Sequence, residues 1–264
     1  MALISSADLV LVKSAVVNDT ASNGGRMGSV LVASGVAGSM FRDANPSELA
    51  AGTDQYRKGF YHNRNASNEV AMNALFYMEN YTPGGDDIVF FAATQTDVQD
   101  DIAGTEDLFG CAKLHVDIAP GATSIQVQVH DWVNQKYFRN GVLLRISDKA
   151  AYNAESGNTE FVYIHASTAI TAVGNVVTIP LATAMLGTYD ADNARVASLY
   201  EYGDIEPAVS GWTETFAGSG TYDETTYPVG LTNKGTIEQA ITVTFTSATA
   251  FNVTSDVLGS LGSG

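Results

Sequence analysis

A single cysteine, Cys111, occurs in the 264 residues, so an intrachain disulfide is impossible and the redox compartment stays open. Its surroundings, Leu108-Phe-Gly-Cys-Ala112, hold no basic group before Lys113, and the thiol reads as a small buried hydrophobe rather than a nucleophile. Charge is also scarce. Charged residues make up 16% of the chain, below the quarter or so usual in globular proteins, while 45% is apolar. A disordered chain would be more polar and more highly charged, so that class is excluded. No apolar run approaches the eighteen or so residues of a membrane span. The first residues, Met1-Ala-Leu-Ile-Ser-Ser-Ala-Asp8, lack a basic n-region, and Asp8 and Lys13 interrupt any apolar stretch. The expectation is a chain made in a cytoplasm, with no membrane partner.

Catalytic patterns are missing as well. His62, His115, His130 and His165 stand apart, with no His-x-x-x-His and no HExxH. There is no G-x-S-x-G, no phosphate-binding loop and no dinucleotide fingerprint. The acidic stretches Asp97-Val-Gln-Asp-Asp101 and Asp190-Ala-Asp-Asn193 do not follow the ligand order of a calcium loop. The sequence implies no enzyme, no cofactor and no metal.

What is present is β structure. Five segments alternate apolar and polar residues at nearly even spacing: Ser124–Val129, Val142–Ser147, Glu160–His165, Val176–Leu181 and Arg195–Tyr200. Period two with β-branched residues is the pattern of half-buried strands. Five of them in so short a stretch predict a small antiparallel β-barrel, closed or partly closed. Before it, Asn68–Met78 and Asp87–Ala92 flank Thr82-Pro-Gly-Gly-Asp86, turn chemistry that predicts a hairpin. Asn45-Pro46 ahead of Ser47–Ala51 predicts one helical turn. After the barrel, Tyr202–Pro207 reads as a linker, Gln239–Phe245 and Phe251–Thr254 as strands, and Leu258–Gly264 as a loose end.

Neither flank alone has enough strands to close a core. The predicted architecture is therefore all-β: residues 1–108 plus 204–264 form an assembling β-sandwich with an N-terminal arm, and 109–203 form an inserted small antiparallel β-barrel.

Charge is unevenly placed along the sequence. Residues 1–64 carry six basic and five acidic side chains, and 65–264 carry seven and twenty-four, for a net of −16. Such acidity repels a phosphate backbone, so no specific nucleic-acid binding is expected; an acidic wall past which DNA slides fits it, as does acidity for solubility. The one basic-aromatic cluster is Tyr56-Arg-Lys-Gly-Phe-Tyr61, with Arg26 and Arg42 upstream. Interleaved bases and rings can hold single-stranded nucleic acid, or they can meet an acidic neighbouring subunit. Arg26, Arg42, Tyr56, Arg57, Lys58, Phe60 and Tyr61 are thus candidates for a subunit interface. Exposed aromatics on β proteins also stack on sugars; Trp132 and Trp212 are the candidates for glycan contact, with Tyr137 expected to be exposed beside Trp132.

Several phrases taken together carry a resemblance: Asn23-Gly-Gly-Arg-Met27, Gly52-Thr-Asp-Gln-Tyr-Arg-Lys58, Pro83-Gly-Gly-Asp-Asp87, Thr94-Gln-Thr-Asp97, Gly235-Thr-Ile-Glu-Gln239 and Thr244–Phe251. The chain resembles virion structural proteins of tailed bacteriophages, notably Mu-like phages with long flexible tails. The resemblance implies a noncatalytic virion component in many copies, without fixing its place. Its partners would be itself, as a homo-oligomeric ring or tube, and other virion proteins. A tail protein of the tube or of the tip and baseplate is the first expectation. A carbohydrate-binding adhesin at the tail tip and a head decoration protein are the alternatives.

Overall fold

In the computed structural model, residues 4–67, 69–82, 84, 86–207, 220, 223, 225–227, 237 and 239–264 are described. Among the described residues strand accounts for 38% and helix for 4%, so the all-β expectation holds. In chain order the elements begin with β1 (Leu9–Val16), β2 (Gly24–Leu31), α1 (Pro46–Ala51), β3 (Gly59–Asn63), β4 (Ala71–Phe76) and β5 (Val89–Phe90). Then come β6 (Phe109–Leu114), β7 (Ser124–Gln128), β8 (Leu143–Ser147), β9 (Thr159–Tyr163), β10 (Thr171–Val173) and β11 (Val176–Pro180). The last are β12 (Arg195–Ser198), β13 (Tyr200–Ile205), β14 (Ile241–Phe245), β15 (Phe251–Ser255) and β16 (Gly259–Ser263).

Two compact units result, one of residues 1–71, 94–102 and 205–264, the other of 72–93 and 103–204. The division differs from the sequence reading in that 72–93 and 103–108 belong with the barrel strands. By unit the charge evens out. The first has seven basic and fifteen acidic residues, the second six and fourteen, so each carries −8.

The second unit is built on one sheet in the order β10-β11-β7-β6-β12-β8-β9, with β5 added to β6. The five strands read from the sequence are β7, β8, β9, β11 and β12. The sheet curls until Ile164, just past β9, bridges Leu181, just past β11. There His165 donates its N–H to the Pro180 carbonyl at 2.9 Å, and Ala182 to the Tyr163 carbonyl at 2.8 Å. The ladder is pinned at this bridge rather than continued as a full strand pair. Inside the curl lie Leu114, Val127, Leu144, Ile146, Ile164, Val177, Ile179 and Val196, each no more than 1% exposed. Register places these rows opposite one another, as in Val127 with Val177 and Ile146 with Val196.

A strap that includes residues 77–82 and 86–90 covers part of the sheet's outer face. Cys111, Ala197, Arg145 and Phe161 form one outward row across β6, β12, β8 and β9. The first three are nearly inaccessible and Phe161 is 52% exposed. The Glu79 carboxylate reaches the buried Arg145, whose Nη1 is 3.1 Å from Oε2 and angled away from a linear hydrogen bond, and the partly buried Arg195, whose Nη2 is 3.4 Å from Oε1. The Tyr77 ring lies 5.0 Å from the Arg145 guanidinium, and Cys111 Sγ donates to the Glu79 carbonyl at 3.9 Å. Phe90 stacks on Phe109, 5.4 Å between centroids. Gly110 leaves room for the Tyr137 ring, since a Cβ there would sit 3.0 Å from it, closer than ordinary contact.

The strap also corrects the hairpin prediction. β4 pairs with β13 and β5 with β6, so the segments on either side of Thr82–Asp86 find different partners. Turn chemistry permits a reversal, but β5 pairs with β6 instead, Val89 opposite Gly110 and Phe90 opposite Phe109. Tyr202–Pro207, read as a linker, belongs largely to β13.

The first unit contains an antiparallel sheet in the order β2-β1-β3 and a second in the order β14-β15-β16. The helical turn forms as expected. Asn45 caps it by accepting the Glu48 N–H at 3.0 Å, and Glu48 returns the bond to the Asn45 N–H at 2.8 Å. The expected loose end forms β16 instead, because Ser255 Oγ accepts the Val257 and Leu258 N–H groups at 3.0 Å and turns the chain back.

Candidate assembly site

Three of the phrases that carry the resemblance meet in the first unit. Asn23 is the buried centre. Its Nδ2 donates to the Tyr56 carbonyl at 2.8 Å and to Gln99 Oε1 at 3.3 Å, while its Oδ1 accepts the Asn18 N–H at 3.3 Å. Next to it Gly24 adopts φ +113° and bridges Val98; a Cβ there would lie 2.9 Å from the Asp97 carbonyl. Only glycine meets both conditions. Gly25 donates its N–H to that same carbonyl at 2.8 Å, and so does Lys58 Nζ at 2.8 Å. The Asp97 carboxylate in turn accepts the Thr94 N–H at 2.8 Å and the Thr94 hydroxyl, and these bonds hold it below the usual carboxylate range. Segments 23–27, 52–58 and 94–97 are therefore one knot. Thr94 and Thr96 also border an open groove of about 730 Å³ together with Gln239 and Asp256. Most of the Gly235–Gln239 phrase lies outside the described residues.

The basic side chains of the cluster are engaged within their own chain. Arg57 donates to the Asn18 carbonyl at 3.1 Å and pairs with Asp19 at 2.6 Å, its side chain 6% exposed. Arg42 pairs with the same Asp19 at 2.7 Å and with Glu48. Bonds from Arg42, then from Arg57, draw the Asp19 carboxyl down, and Arg42 and the Asn45 N–H pull Glu48 down to about 2. Lys58 lies 5.0 Å over the Phe60 ring. Burial lowers its pKa, against the pull of Asp97 and Asp101. Of the seven interface candidates the structure gathers Arg42, Tyr56, Arg57, Lys58 and Phe60. Arg26 is exposed on β2 and Tyr61, on β3, is 53% exposed. The sequence reading gave Asp19 no role and named Asn23 and Asp97 only within the phrases of the resemblance, yet these three hold the cluster. The Asn18-Asp19 pair ahead of Asn23-Gly-Gly was the available signal.

The first unit has little core. Among the described residues only Val12, Met27, Ile205 and Ile237 are buried hydrophobics there, against twenty-three in the second unit. Val16, Val17, Val30, Leu31 and Val36 of the same unit are 39–59% exposed.

The glycan candidates fare differently. Trp132 is half-buried and stacks on Phe138, 6.4 Å between centroids, so one ring face is already used. Tyr137, expected to be exposed, is 1% exposed, because the phenol ring fills the space above Gly110. Trp212 lies outside the described residues.

The second unit has a cleft of about 320 Å³ bordered by Asp87, Cys111, Lys113, His130 and Tyr137. Burial pushes the Cys111 thiol up to about 12 and raises Tyr137 well above a free phenol, so both stay protonated near neutral pH. Burial also raises the Asp87 carboxyl, against opposing bonds and charges from Ile88, His130 and Tyr137. Its Oδ2 is sealed from solvent, and the Tyr137 hydroxyl comes near without completing a hydrogen bond. A carboxyl raised on folding favours the folded state below its unfolded value of 3.8 and loses that contribution as pH rises through its folded pKa. The expected result is that Asp87→Asn melts higher than the parent chain at pH 7, and that the two converge below pH 3.8. Thermal melts across that range check it; a variant less stable than the parent at pH 7 would contradict it.

Among the described residues, no group of three or more His, Cys, Asp or Glu side chains is placed to hold a metal ion, and no helix is long and apolar enough to cross a membrane. Comparison with protein-family models, curated proteins and solved structures finds no match to this chain.

Proposed function

We propose that this chain is a noncatalytic structural component of a tailed-phage virion, a tail protein of the tube or of the tip ring, present in many copies. The observation that carries the reading is the contrast between the units. One is a filled sheet core, whereas the other buries four described hydrophobics and presents apolar side chains outward. Exposed apolar surface on that scale marks a surface that meets other protein. The motif knot supports the same reading, because a loop-rich arm is fixed by Asn23, Asp19 and Asp97 rather than left to fray. A charge of −8 on each unit disfavours a nucleic-acid partner and suits a wall beside DNA.

Antibody labelling of this chain in intact particles tests the reading. Repeated label along the tail or at its tip is expected. Label over the head would move the chain to a decoration role, and absence from particles would remove the virion role altogether.

A further inference from the structure

The ionic group beneath the strap of the second unit is unbalanced in charge. Arg145 on β8 and Arg195 on β12 each bring one positive charge, and among the described residues Glu79 is the one carboxylate that pairs with them. Lys113, opposite Arg195 in register, is matched separately by Asp192 at 3.8 Å. Asp87, the other acidic group that acts on Cys111, is raised toward its neutral form by burial. Two positive charges against one negative leave +1 between strap and sheet.

Hydrogen bonding is incomplete at the same place. A guanidinium carries five N–H donors. Arg195 Nη2 donates to Glu79 and to the Lys149 carbonyl, while its Nε is sealed from solvent without a partner. Arg145, its side chain 5% exposed, donates no hydrogen bond at all. Its Nη1 misses a linear approach to Glu79 Oε2, which is itself unpartnered, and its remaining contact is the Tyr77 ring. Water would fill the empty donors, but it would not neutralise a buried charge, which is the larger cost. Arg145 also stands at the margin of the strap. Phe161, its neighbour on β9, is 52% exposed, and Tyr152, near enough to Tyr77 to act on its phenol, is 67% exposed.

We propose that Arg145, supported by Arg195, binds one small oxyanion, a carboxylate or a phosphate, that enters from the β9 side. The planar fork of a guanidinium matches two oxygens of such an anion, and a single negative charge would balance the group. The unit as a whole carries −8 and opposes an incoming anion. At about 0.1 M salt, however, charges more than about 10 Å away are largely screened, so the nearby guanidinium groups decide. The inference does not rest on the virion reading, and the failure of either leaves the other standing.

Equilibrium dialysis of the full chain against labelled phosphate and labelled acetate tests it, with ionic strength held near about 0.1 M by sodium chloride. Saturable binding of one anion per chain is expected. Arg145→Met removes the surplus charge and leaves Glu79 matched with Arg195. It is expected to keep the circular dichroism of the parent and to bind at least about tenfold more weakly. Glu79→Gln keeps the shape of the side chain and removes the competing carboxylate, and is expected to bind about tenfold more tightly. A purely structural role for the two residues would not move the affinity in opposite directions. Either variant carries the test if the other does not fold. No saturable binding of either anion by the parent would overturn the site. Equal affinity of the parent and Arg145→Met would place the anion elsewhere and overturn it as well. Weaker binding by a folded Glu79→Gln would contradict the charge argument on which the site stands.

Discussion

Glu79→Ala is expected to destabilise the chain by about 3–5 kcal/mol, the cost of removing one member from a buried ionic group. The carboxylate faces Arg145 and Arg195, whose side chains are 5% and 13% exposed. Without Glu79, Arg145 keeps the Tyr77 ring and Arg195 keeps its bond to the Lys149 carbonyl, and neither of those neutralises a charge. Two guanidinium groups would remain in a poorly solvated layer between strap and sheet. The strap should loosen with them, and Cys111, which donates to the Glu79 carbonyl, should become reachable. Urea denaturation together with the rate of Cys111 modification checks both parts. Replacing Glu79, Arg145 and Arg195 together by apolar residues of similar size should restore much of the loss, since the desolvation cost disappears with the charges. A change below about 1 kcal/mol in the single variant would show that the pairs are solvated.

Ile146→Ala should cost about 2–5 kcal/mol, and Ile146→Val about 0.5–1.5 kcal/mol. Ile146 is wholly buried on β8, opposite Val196 on β12. The curled sheet wraps around this position, so a cavity there cannot collapse easily. Leu49→Ala, at a leucine 73% exposed in the first unit, serves as the control and is expected to stay within about 0.5 kcal/mol. Denaturant melts of the three variants should thus rank by burial. Equal effects at Ile146 and Leu49 would contradict the placement of the core in the second unit.

The strands that sequence revealed most clearly alternate apolar with polar or small residues, whether the outer face is partly wet, as on β7 and β11, or covered, as on β8 and β12. β7, β8, β9, β11 and β12 turn alternate residues into the curl and stand out by period two. β6 escaped because the core lies on one side and the strap on the other, so that five of its six residues are buried and Phe-Gly-Cys-Ala-Lys-Leu shows no alternation. β10 is three residues long, too short for any period to show. The hairpin expectation failed for a related reason. Thr82-Pro-Gly-Gly-Asp86 describes a local bend, but strand partners are set over long sequence separations. At the assembly site the basic-aromatic cluster was legible because its members are neighbours in sequence. Its holders were not: Asn23 reaches Tyr56 across 33 residues and Gln99 across 76. Pairing of Arg42 and Arg57 with Asp19 also changes what the cluster offers a neighbour, since much of its charge is spent within the chain. The even charge of the two units was likewise hidden in a sequence whose first 64 residues are nearly neutral.

The number of copies of this chain per purified particle tests the account most directly. Quantitative mass spectrometry against the particle's most abundant protein gives that number, and labelling gives its place. The account predicts many copies, in a whole multiple of a ring, at the tail. A particle that contains none, or that remains intact and infectious when the gene for this chain is deleted, would contradict it.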